Sequence, residues 1–174
     1  RRSLDNASIK VKKGELVAVL GHNGCGKSTL IKHFNALLEV QKGELTVAGL
    51  DAKERIRFRN VISSLAADKI VILATHIVTD IAYVAKTVVL MNDGRIIKTG
   101  TQEELCSDIS DKVWEITAQS DKVMDYMNRM RVSNAVSDGN KYTLRIVSDE
   151  YPENGAVSVP PTLEDVCIYY FGDM

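Results

Sequence analysis

The chain has 174 residues, 45% of them hydrophobic and 26% charged, the balance of an ordinary folded domain rather than a disordered one. Twenty-two basic side chains against 23 acidic ones give a net charge of −1, which offers no electrostatic reason to bind nucleic acid or an anionic membrane. Cys25, Cys106 and Cys167 are widely spaced with no C-x-x-C pair, which argues against a disulfide framework or a thiolate zinc site and fits a reducing cytosol.

The opening segment, RRSLDNASIK, lacks the apolar stretch of a signal peptide. ELVAVL, residues 15 to 20, is a short valine-bearing apolar run between Lys13-Gly14 and Gly21, and predicts a buried strand. From Lys27 the period changes: Leu30, Ile31, Phe34, Leu37 and Leu38 share one face of a predicted helix. GELTVAGLD predicts a strand ending in a turn at Ala48-Gly49, and Phe58, Val61, Ile62 and Leu65 recur at helical spacing.

KIVILAT predicts a second buried strand, and the helix after it carries Val78, Ile81, Ala82 and Ala85 on one face. KIVILATHIV is the longest apolar run, too short at ~18 residues required to span a bilayer and broken by Thr75 and His76. The chain is therefore expected in the cytoplasm, meeting a membrane only through a partner. TVVLMNDGRIIKTG predicts a hairpin closed across Asn92-Asp93-Gly94, residue types that accept the positive φ of tight turns. TQEEL opens a helix, with Thr101 as N-cap and Glu103 and Glu104 in its first turn.

Past residue 110 the character shifts. KVWEITAQ and KYTLRIVS predict strands, SDKVMDYMNRM a short helix capped by Ser120, YPENGAVSVPP a loop, and TLEDVCIYYFG a closing helix. The expected organisation is an α/β domain over residues 1–110 and a small α+β unit over 111–174. Trp114, Tyr126, Tyr142 and the run Tyr169-Tyr170-Phe171 are expected to supply the core of that unit.

The chemistry concentrates in GHNGCGKST, Gly21 to Thr29, which satisfies G-x-x-x-x-G-K-[ST] between a predicted strand and a predicted helix. Gly21, Gly24 and Gly26 let successive backbone N–H groups curl inward around a phosphate, and the helix beginning near Lys27 adds its positive end. Lys27 is expected to neutralise the outer phosphates and the Ser28 hydroxyl to ligate Mg²⁺. His22, Asn23, Cys25 and Thr29 complete the loop, Cys25 as a small filler. The competing reading is a glycine-rich turn that matches by chance. No N-K-x-D element reads guanine, since Asn140-Lys141 is followed by Tyr142-Thr143.

GELVAVLGHNGCGKSTL together with KIVILATHIVTDIAYVAKTVVLMNDGRIIKTGTQEEL resembles the ATP-binding subunit of an ABC (ATP-binding cassette) transporter, in two blocks within residues 4 to 105. The resemblance implies a P-loop NTPase core with a central, mainly parallel sheet and ATP with Mg²⁺ as cofactors. It further implies a dimer of ATP-binding subunits, homo- or heteromeric, and a membrane-spanning permease as partner at the inner face of the cell membrane. By position, His76 takes the role of the family's histidine that contacts the γ-phosphate and helps position the attacking water. GHNGCGKSTLIKHFNALL is similar to the ATPases of energy-coupling-factor importers. The later half, through PPTLEDVCIYYFG, is similar to ATPases that pair with ABC-2 type permeases and carry a C-terminal accessory domain for dimerisation or regulation.

Three elements of that family are missing from between the phosphate loop and His76: a glutamine-bearing loop, a helical subdomain ending in L-S-G-G-Q, and an apolar strand ending in Asp-Glu. The 49-residue offset from Lys27 to His76 is too short for the subdomain. Residues 43–51 read as the strand and turn that follow the first helix, and from about Lys53 the chain reads as the later segment, so a splice near 48–56 is expected and the core is expected to be incomplete. Without a metal-binding aspartate and a water-polarising glutamate, Lys27, Ser28 and His76 are expected to bind a triphosphate and cleave it slowly. The family's adenine-stacking aromatic lies upstream of RRSLDN, so weakened affinity is expected. The alternative is a non-catalytic interaction or regulatory protein with a vestigial phosphate loop. A small P-loop kinase lacks an acceptor site and a lid.

Overall fold

The computed structural model describes residues 4–5, 7–12, 15–37, 71–75, 78 and 85–172. The predicted strand at 43–51, the helix around 58–65, the splice at 48–56 and His76 lie outside the described residues. The described chain divides into two units, Arg1–Gln102 and Glu103–Met174.

The first unit is built on a four-stranded sheet in the order β2-β1-β3-β4. Its strands are β1 (Leu16–Leu20), β2 (Val71–Thr75), β3 (Thr87–Asn92) and β4 (Arg95–Gly100), and helix α1 (Lys27–Leu37) follows β1. β1 runs parallel to β2 and β3, whereas β3 and β4 form an antiparallel hairpin. All five residues of β1 are buried, as an apolar run bonded on both edges and covered on both faces must be. Val17 and Val19 share a cluster with Val89, Met91, Cys25 and Leu30 of α1; on the opposite side Leu16 meets Val71, Leu73 and Ala85. Each fully buried Val or Leu contributes about 1.5–3 kcal/mol by leaving water.

β2 departs from its predicted full burial. Residues 71 to 74 are only half-buried, because among the described residues β2 has a neighbour on one edge alone. Ala85 lies outside any helix; Val78 is helical and buried, and Ile81 and Ala82 lie outside the described residues. Of the predicted face of α1, Leu30 is buried and Ile31 half-buried, while the side chains of Phe34 and Leu37, and Leu38 itself, lie outside the described residues. The hairpin turn adopts the positive φ that its residue types predict, 46° at Asp93 and 79° at Gly94. The pairing skips Ile97, a bulge that leaves this residue 40% exposed. At the start of β1, the Glu15 carboxylate accepts from the Thr87 hydroxyl at 2.6 Å and the Lys12 N–H at 2.9 Å, and these two bonds hold its pKa below the ordinary carboxylate value.

The second unit opens at Glu103, inside α2 (Gln102–Ser107), which carries Glu103 and Glu104 in its first turn, where the helix dipole favours acids. An antiparallel sheet follows in the order β6-β7-β5-β8, made of β5 (Val113–Gln119), β6 (Arg131–Asp138), β7 (Lys141–Val147) and β8 (Val157–Ser158). A 3₁₀ turn (Ser120–Lys122) leads into α3 (Val123–Arg129), and α4 (Leu163–Phe171) closes the chain. Ile116, Ala118, Leu144 and Ile146 from one face of the sheet pack with Val123 of α3.

Three sequence expectations are corrected here, and one strand is unanticipated. Ser120 is not a cap: it lies inside the 3₁₀ turn, and neither that turn nor α3 has a side-chain cap. The Ser120 N–H is instead held by the Asn140 carbonyl at 3.2 Å. β6 is a strand that the sequence pattern does not announce, since RVSNAVSD lacks clean alternation. The loop 151–161 contains β8, two residues paired with Trp114 and Glu115. The core is aliphatic: Tyr126 and Tyr142 border it, Trp114 packs edge-on against Tyr151 at 5.3 Å, and Tyr169 against Tyr170 at 5.2 Å.

One buried carboxylate ties this unit together. Asp165, with no exposed surface, closes a capping box with Thr162 at the start of α4. It also accepts from Arg145 Nε of β7 at 2.9 Å and from the Ser133 hydroxyl at 2.5 Å. Ser133 is the extra residue of a bulge between Val132 and Asn134, which lets its side chain reach α4. Arg145 also donates to Glu115, directly opposite on β5, and to the Pro160 carbonyl. Asp165→Ala should destabilise this unit by about 3 kcal/mol, because it strands a mostly buried guanidinium. Denaturant unfolding followed by fluorescence of Trp114, the single tryptophan, measures it; an unchanged midpoint would contradict the network's role.

Candidate functional site: the loop between β1 and α1

The carboxyl ends of parallel strands are where loops gather to form ligand sites in open α/β sheets. Here β1 ends at Leu20, in register with Thr75 of β2 on one side and Leu90 of β3 on the other. Residues 21 to 26 then turn back into α1.

Gly21 is buried against the hairpin. A Cβ added there would lie 2.1 Å from the Met91 carbonyl oxygen and 2.6 Å from Cys25 Sγ, so only glycine fits. The carbonyl of half-buried His22 accepts from the Cys25 N–H at 3.2 Å, and Asn23 and Gly24 form the exposed tip of the turn. Gly24 has φ 81°, with nothing within 4 Å of where a Cβ would be; the backbone is open to close approach by a ligand. Gly26 has φ 106°, and its carbonyl accepts the Leu30 N–H at 2.9 Å as α1 begins.

Lys27 Nζ folds back over this loop, donating to the carbonyls of Gly21 and His22, both at 2.8 Å, with Cys25 Sγ 4.0 Å away. Ser28 is exposed and Thr29 half-buried in the first turn of α1, which carries no acidic side chain to offset the positive helix end. Cys25 is 4% exposed and part of the sheet core; it packs the loop from beneath. Gly21 to Gly26 thus form the turn, and Lys27 to Thr29 open α1. His76 lies outside the described residues, although Thr75 before it ends β2 opposite Leu20.

Sequence reasoning missed the hairpin's part in this site. The Gly94 N–H donates to the Cys25 carbonyl at 2.7 Å, and the Asp5 N–H donates to the Gly94 carbonyl at 2.9 Å. Asp5 in turn accepts from Arg95 Nε at 2.7 Å. The motif N-D-G announces the turn but not what the turn touches.

The donor set fits a polyphosphate: an open glycine backbone, one ammonium and the start of a helix. Among the described residues no group of three or more His, Cys, Asp or Glu could hold a metal ion; the Ser28 hydroxyl is the loop's expected Mg²⁺ ligand. Among the same residues no helix is long and apolar enough to cross a membrane. The second unit has an open groove of about 440 Å³, with Glu115, Ser133, Thr143 and Arg145 on its walls; its arginine is already engaged by Asp165, Glu115 and Pro160.

Comparison with known proteins identifies a family and several partial relatives. A family profile described as ABC transporter matches residues 4–148. The energy-coupling factor transporter ATP-binding protein of Clostridium novyi is 54% identical over 52 residues, covering 30% of this chain and 19% of that protein. Its counterpart in Clostridioides difficile is 47% identical over 60 residues, covering 34% and 22%. The matched stretch thus spans only about a fifth of either relative. Among solved structures, an ATP-binding subunit of an ABC transporter aligns at 18% identity and a TM-score of 0.46, covering 61% of this chain and 86% of that one. A Clostridium perfringens protein that is part of the cbiONQ ABC transporter complex aligns at 16% and 0.45, covering 61% and 84%.

Gly21→Ala should cost about 1–3 kcal/mol, since overpacking against a backbone carbonyl forces the loop or β3 to move. Thermal unfolding by circular dichroism reads this out; a midpoint equal to that of the unmodified chain would contradict the packing described.

Proposed function

The chain belongs to the ABC transporter family, and from that premise we propose that it is an ATP-binding subunit whose residues 21–29 take the phosphates of MgATP to power a membrane permease. The observation that carries this reading is the loop itself, with positive φ at Gly24 and Gly26 and the Lys27 ammonium held directly over it. The backbone N–H groups of the loop and of the first turn of α1 bind the phosphate oxygens, Lys27 neutralises them, and the Ser28 hydroxyl contributes to Mg²⁺. When bound, ATP supplies the free energy of γ-phosphoryl transfer. His76 is proposed as the group that orients the attacking water; the parallel pairing of Thr75 with Leu20 supports this, because it brings the ends of β2 and β1 to the same side of the sheet.

Residues 1–110 form the nucleotide-binding domain on this reading, and 111–174 an accessory domain. The subunit pairs with a second ATP-binding subunit, identical or related, and works from the cytoplasm at the inner membrane face. Between Lys27 and His76 the sequence holds no L-S-G-G-Q and no apolar strand ending in Asp-Glu, which is the basis for proposing an internal deletion or fusion near 48–56 and for assigning binding rather than fast hydrolysis. The same absence favours the second reading, a regulatory remnant with a vestigial loop.

Nucleotide-dependent stability separates the two, since a ligand specific for the folded state raises its melting temperature by mass action. Millimolar MgATP should raise the Tm of this chain and leave Lys27→Ala unmoved; no shift in either chain would favour the remnant. Turnover should stay near the uncatalysed background, and robust hydrolysis abolished by His76→Ala would refute the assignment of slow cleavage.

A further inference from the structure

Two residues of the phosphate loop, the first and the fifth, lean on the same hairpin. Gly21 packs on the Met91 carbonyl, and the Cys25 carbonyl receives the Gly94 N–H at 2.7 Å. A trans peptide is planar, with its C=O and N–H pointing in opposite directions. Fixing the Cys25 carbonyl toward Gly94 therefore turns the N–H of Gly26, across the same peptide bond, away from the hairpin.

The turn is itself held in place. Asp93 and Gly94 both have positive φ, the combination a two-residue hairpin turn needs to match strand twist. From the far side, the Asp5 N–H grips the Gly94 carbonyl, and Arg95 grips the Asp5 carboxylate. The donor thus arrives from a paired two-strand hairpin, while the acceptor lies between two glycines with positive φ, Gly24 and Gly26.

We infer that the Asp93–Gly94 turn is a positioning element for the phosphate loop: the Gly94 N–H, by holding the Cys25 carbonyl, presets the Gly26 amide to face an incoming anion. This rests on the proposal that residues 21–29 bind the phosphates of a nucleotide. Gly94 touches no ligand on this account; it acts through the Cys25–Gly26 peptide and lowers the ordering that binding must otherwise impose.

The test removes the Gly94 donor while keeping every side chain. In a semisynthetic full-length chain, Gly94 is replaced by glycolic acid, so that an ester oxygen stands where the N–H was. The same replacement at Gly155, whose N–H donates to Tyr151 Oη at 3.1 Å in the second unit, is the control. Two readouts are taken: the residual dipolar coupling of the Gly26 N–H, which reports its orientation, and the Kd for MgATP.

The Gly94 ester should change the Gly26 coupling and weaken MgATP by about fivefold, the worth of one ordering hydrogen bond; the Gly155 ester should do neither. A Gly26 coupling unaltered by the Gly94 ester would overturn the inference. So would an unaltered Kd in a chain whose binding is lost with Lys27→Ala. If the unmodified chain binds no nucleotide, the functional reading falls, and the Gly26 coupling alone decides whether the turn orients the loop.

Discussion

β1 is held between two parallel strands and covered on both faces, and this constraint governs the first unit. Its five residues are all buried, and its hydrogen bonds run to β2 on one side and β3 on the other. A one-residue slip would exchange Val17 and Val19 with their neighbours between two covered faces whose packing partners differ, and so is opposed on both. Gly21 therefore leaves the sheet at a fixed point, beside the Met91 carbonyl, and everything the loop does follows from that exit. The helix after it begins at Lys27, so the loop has only the residues between to reverse direction. Glycines with positive φ at 24 and 26 make so short a reversal possible.

Much of this was legible in the sequence because it is local. The apolar run before Gly21, the spacing of glycines, lysine and serine, and the N-D-G turn each encode a conformation within a few residues, and the observed backbone follows them. The bond from Gly94 to Cys25 was not legible, because it joins loops far apart in the chain and uses only backbone atoms. β6 escaped for a different reason. Arg131–Asp138 is an edge strand with few buried side chains, so its extended form is imposed by pairing with β7 rather than by its own pattern. β8 is similar, two residues extended because Trp114 and Glu115 offer them partners.

The second unit shows how a polar group can organise a small domain. Asp165 belongs at once to the cap of α4, to an ion pair with β7 and to a bond with the bulged residue of β6. Glu115 extends the ion pair to β5. Lys112 makes a separate tie, bonding both Asp149 and Tyr169, which raises the lysine's pKa and lowers that of Asp149. Cys167, buried in α4, has its thiol pushed up to about 12 by desolvation, so it packs as an inert apolar group.

Lys27 keeps company with two carbonyl oxygens of its own loop. The ammonium is already solvated by these two dipoles, so on the proposed reading an arriving anion exchanges with existing bonds instead of meeting bare positive potential. Such an exchange discriminates by shape. A chloride offers the ammonium a single point of attraction and nothing for the amides around it, whereas a chain of phosphates can occupy ammonium and amides together. On the proposed reading, the folded-back lysine separates a chain of phosphates from the simple salts that crowd every cell.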